Sequence, residues 1–134
     1  MNPRVEELKE ILGEELSIYR KLLQFAGDKR KLLLEKFSTD LQIIVTQEES
    51  LVQRLVELEP LRRTCVAEIA GSADANLDTA VEKIPESEGK SDIWMIGSQL
   101  RDAVNEIRSI NEENQRLIEQ ALELTQYSVK LITR

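Results

Sequence analysis

Apolar residues recur along this chain at alternating steps of three and four, the spacing that keeps side chains on one face of an α-helix. The longest such run is Ile93, Ile96, Leu100, Val104, Ile107, Ile110, Leu117, Ala121, Leu124 and Leu131. No Pro and no late Gly breaks it, so it predicts one helix over 92–133, roughly 65 Å long at 1.5 Å per residue. That length suits a slender bundle or coiled coil. A second pattern starts at Asn2 and Pro3, a good helix entry because Asn caps free N–H groups and Pro tolerates the first helical position. Val5, Leu8, Leu12, Leu16, Tyr19, Leu23, Ala26, Leu33 and Phe37 carry it over 3–37, with Gly27 to Lys31 as its weakest stretch.

Ser38, Thr39 and Asp40 then interrupt, and Thr39 with Gln42 fits a capping box. Leu41, Ile44, Val45, Leu51, Val52, Leu55, Leu58, Cys65 and Ile69 predict a second helix over 40–70, antiparallel to the first. Pro60 falls inside it and is expected to kink it near Val56 to Glu59 or to split it. The connector 71–90 turns to Gly, Ser, Ala, Asp and Glu, with Asn76 placed to cap a short helix over 77–84 that Pro85 stops. Glu86 to Lys90 has nothing to bury and is expected to be mobile, with Ser91 or Asp92 capping the last helix. The pattern therefore predicts a single all-α domain over 1–134. It is an antiparallel helical hairpin plus a long C-terminal helix, forming an elongated three-helix bundle or coiled coil. The direction of the last helix is left open.

Composition narrows the use of such a bundle. Aromatics are 4% of the chain, which suits thin Leu, Ile and Val seams. A net charge of −7 disfavours nucleic acid as a partner. Lys29, Arg30, Lys31 and Lys36 form a basic cluster, read as a solvated helix end. There is no His, which removes His-dependent catalytic pairs, His-containing zinc sites and phosphotransfer. Cys65 stands alone near Val66 and Ile69 and is read as a small core residue. The acidic pairs Glu6–Glu7, Glu14–Glu15 and Glu112–Glu113 are read as solvated faces. No catalytic residue, cofactor or metal is expected, and the chain is not expected to be an enzyme. With no signal peptide and no run of eighteen apolar residues, a cytoplasmic location without membrane insertion is expected.

Three features remain. Trp94 and Met95 with Ile93 and Ile96 form an apolar clump, read as a lid on the end of the bundle. Asn111 and Asn114 occupy one face in mid-helix, where polar residues can fix register. After them a second stripe, Ile118, Leu122, Thr125, Val129 and Ile132, runs beside Leu117, Ala121, Leu124, Ser128 and Leu131. This is wider than one neighbouring helix needs, and it serves either two bundle neighbours or a partner.

The layout of a Leu- and Glu-rich hairpin, a connector and a long helix carrying Asn111-Glu-Glu-Asn114-Gln-Arg-Leu117-Ile118-Glu-Gln-Ala121-Leu122-Glu-Leu124 resembles the FlgN-like flagellar export chaperones. Pro60 departs from the family pattern. The resemblance implies a cytoplasmic, non-enzymatic chaperone that binds hook-filament junction proteins before secretion and delivers them to the flagellar export apparatus. It implies a client-binding face on Asn114, Leu117, Ile118, Ala121, Leu122, Leu124, Thr125, Val129 and Ile132, to which Asn111 is joined as the start of the segment. The alternative is a structural coiled-coil homodimer or adaptor. A monomer and a homodimer both remain open.

Overall fold

A computed structural model describes residues 2–35 and 39–133; at residue 39 and from 121 to 133 only the backbone is described. The helices are α1 (Pro3–Glu35), α2 (Thr39–Ala70), the short α3 (Leu77–Glu82) and α4 (Lys90–Thr133), with a 3-10 turn at Glu86–Glu88 before the last. This is the all-α bundle that the periodicity predicts. Phe37 and Lys36 lie outside the described residues, as does the Thr39 side chain of the expected capping box.

The spine of the molecule is α1 rather than the longer α4. α1 packs along both α4 and α2, whereas α2 and α4 make at most a passing contact with each other. A helix between two neighbours needs two adjacent apolar strips. One strip, with Leu12 and Leu16, was visible in the spacing; the other, Ile11, Ile18 and Leu22, is equally buried. Leu8 and Leu12 have no exposed surface, and each such side chain contributes about 1.5–3 kcal/mol.

Ion pairs report the register. Arg4 meets Glu68, Glu14 meets Arg54, and Lys29 meets Glu48, so α2 runs antiparallel to α1. Lys9 meets Asp92 and Arg30 meets Glu113, each pair 83 residues apart. α4 is therefore parallel to α1. Most of these pairs are exposed and each contributes only about 0–1 kcal/mol. The basic cluster is thus not simply a solvated end. Lys29, with 19% of its side chain exposed, bonds Glu48 at 3.0 Å, and Arg30 reaches across to α4.

Local chemistry explains the ends. The Asn2 side chain accepts from the Arg4 N–H at 2.9 Å, and Asn76 caps α3 by accepting from the Thr79 N–H at 2.9 Å. α2 stops at Gly71, whose φ of 74° is open to Gly at little steric cost. Pro60 does not split α2. The carbonyl that loses its partner there belongs to Val56, which is 60% exposed, so water can replace the missing N–H.

The connector departs from expectation in three places. Within the stretch expected to have no structure of its own, Glu86–Glu88 forms a 3-10 turn, closed by the Glu88 N–H donating to the Pro85 carbonyl at 3.0 Å. α4 begins at Lys90, after Gly89 with φ 93°, so neither Ser91 nor Asp92 is its cap. Trp94 and Met95 are no lid: they are 64% and 54% exposed, and Ile93, at 0%, seals the core instead.

Candidate functional site

The Asn-x-x-Asn segment divides between inside and outside. Asn114 is turned toward α1, 4% exposed, and its Nδ2 donates to the Ala26 carbonyl at 3.0 Å; its Oδ1 has no hydrogen-bond partner among the described residues. Asn111 is exposed, Leu117 is half-buried, and Ile118 is 37% exposed. The side chains of Ala121, Leu122, Leu124, Thr125, Val129 and Ile132 lie outside the described residues, although the helix backbone continues through them.

The register fixes where those last turns stand. With an offset of 83 residues between α1 and α4, Glu35 at the end of α1 is level with Ile118. α4 goes on to Thr133, roughly 22 Å further at 1.5 Å per residue. The end of α4 therefore runs on past the described end of α1, which lies along about the first two-thirds of α4.

A second feature lies nearer the start of α4. Because α2 and α4 stand apart over α1, they leave a groove of about 360 Å³ floored by Glu15 and Tyr19, with Leu77 of α3 at one end. Gly97 of α4 makes room for that closure. A Cβ there would stand 3.3 Å from Leu77 Cδ2.

Glu15 is the residue that sequence reasoning missed. It was grouped with Glu14 as a solvated pair, but Glu15 is 6% exposed while Glu14 is paired with Arg54 on the surface. Burial raises its pKa above the ordinary carboxylate value, with Arg62 only partly opposing the shift. Arg62 stands 3.6 Å away, but its hydrogen bonds go to Glu59. Burial pushes Glu59 up, yet Arg62 and Arg63 together hold it below the usual carboxylate range. The overlooked signal was spacing: Leu8, Glu15 and Leu22 are seven residues apart and share one face.

Cys65 is fully buried, as expected, and burial raises its thiol pKa, which suits a packed core residue. Among the described residues no cluster of three metal-ligating side chains occurs, and no helix is long and apolar enough to cross a membrane.

A family model described as FlgN protein matches residues 1–134, the full length of this sequence. The chain belongs to the FlgN family. No curated protein and no solved structure matches it. FlgN proteins are chaperones of flagellum biogenesis, and membership gives this helical bundle a role in flagellar export in general terms. For a FlgN chain, the two surfaces to weigh are the overrunning end of α4 and the groove over Glu15.

Proposed function

We propose that this protein is a cytoplasmic, non-enzymatic export chaperone that holds hook-filament junction proteins before secretion and hands them to the flagellar export apparatus. The client face is the segment Asn111, Leu117, Ile118, Ala121, Leu122, Leu124, Thr125, Val129 and Ile132, with Asn114 anchoring it from the α1 side. The observation that carries this reading is the overrun of α4 past the end of α1, along a stretch whose sequence keeps two adjacent apolar strips. An amphipathic client helix laid on those strips would be shielded from aggregation, and the acidic residues beside them would tune the choice of client.

The test is co-purification with a hook-filament junction protein of the same cell. Ile118→Asp and Leu122→Asp are expected to abolish capture while far-UV circular dichroism stays unchanged. Retained capture with both variants folded would refute the assignment of this face, and collapse of the helix content would place the two residues in the core instead.

A further inference from the structure

The groove over α1 has the position of a missing fourth helix. α2 and α4 both lie along α1 without closing on each other, and the space between two such walls is what a further helix fills in a four-helix bundle. On the α2 side the groove is lined by Glu59 and Arg62, which pair with each other at 2.9 Å. The α4 wall sets Leu100 and Val104 beside Arg101 and Arg108.

Two observations say what would fit. The first is an under-satisfied acceptor: among the described residues Glu15 Oε1, nine-tenths buried at the floor of the groove, accepts no hydrogen bond, and Arg62 Nε stands 3.6 Å from it, beyond hydrogen-bond reach. A buried acceptor normally has a donor, and the groove is the side from which one can arrive. The second is charge. In a chain of net charge −7, this wall is locally basic. Arg108 has no ion-pair partner among the described residues, and Arg101 reaches only the exposed Asp78, at 3.4 Å.

We propose that this groove docks an amphipathic helix of a partner protein, apolar toward Leu100 and Val104, acidic along the edge that meets Arg101 and Arg108, and bearing an amide donor for Glu15. The site lies on the first half of α4 and is separate from the overrunning end.

The probe is a pair of fluorescein-labelled peptides of about eighteen residues, five helical turns, with one apolar face and a central Gln. One has Glu along the flank and the other Lys. In anisotropy titrations with the full chain, the Glu-flanked peptide is expected to bind roughly tenfold tighter, and less tightly as salt rises. Arg101→Glu combined with Arg108→Glu should reverse the preference, and both side chains are exposed, so circular dichroism should show an intact fold. Changing the central Gln to Leu should weaken binding to the native chain but not to Glu15→Leu. Leu122→Asp should leave peptide binding unchanged, which separates this site from the proposed client face. Failure of either peptide to bind, or equal binding that the arginine reversal does not alter, would overturn the proposal.

Discussion

Replacing Asn114 by Leu tests what this side chain does at the α1–α4 interface. The change removes one hydrogen bond, Nδ2 to the Ala26 carbonyl, which contributes about 0.5–1.5 kcal/mol. It does not orphan that carbonyl, because Ala26 lies within α1 and its oxygen still accepts in the helical ladder. In return it removes Oδ1, buried without a hydrogen-bond partner among the described residues, at a relief of about 1–3 kcal/mol. Leu also buries more apolar surface, offset by about 1–3 kcal/mol of overpacking if the seam cannot widen. Taken at their mid-ranges, these contributions leave about 1 kcal/mol of added stability. Urea unfolding followed by circular dichroism should show an unchanged or higher midpoint with the same slope. A loss above about 1 kcal/mol at constant slope would refute the reasoning, since either a satisfied Oδ1 or a seam too tight for Leu would then outweigh the relief. Asn114→Asp is the control. It places a carboxylate against the Ala26 carbonyl and is expected to cost more than about 2 kcal/mol at neutral pH.

Glu15 gives a pH-dependent test. Burial raises its folded-state pKa, so the folded chain binds the proton more tightly than the unfolded one. Stability is then lost as pH rises from about 4.3, the unfolded value, through the folded pKa, and it stays lower above that. Glu15→Gln should melt higher than the native chain at neutral pH, with the advantage vanishing near pH 4. A pH-independent difference would contradict this account. The glycines give opposite signs: Gly13→Ala meets nothing within 4 Å and should stabilise by about 0.4–1 kcal/mol. Gly89→Ala forces a side chain onto φ 93° and should destabilise by about 1–2 kcal/mol. Thermal melts of the two variants side by side would check both.

Helix positions were legible because their signals are local. Asn2 and Asn76 announce their caps, and the step of three and four carries α4 without interruption. Partner assignment was not legible, because it depends on which helices share a neighbour. Ile11, Ile18 and Leu22 sit beside the strip of Leu12 and Leu16, and only the placement of α2 shows that both strips are covered. Glu15 was hidden by its chemical type, since a carboxylate at a heptad position is buried only when its surroundings leave it no water. Trp94 shows the reverse. A large ring near the chain's re-entry usually covers a core end, but Ile93, on the α1 side, fills that place. The Asn111–Asn114 pair reads as one motif in sequence, and packing divides it into a buried anchor and an exposed neighbour.

The parallel pairing of α1 with α4 also sets the order of events during synthesis. α1 and α2 can meet once Ala70 has been made, but the strip of α1 with Leu12 and Leu16 waits for partners 83 or more residues later in the chain. At translation rates of about 5–20 residues per second, roughly 3–13 s separate Ala70 from Arg134. For those seconds the nascent hairpin displays one uncovered apolar strip of α1. A protein of a chaperone family is thus, at its own birth, in the same exposed condition from which its clients need protection.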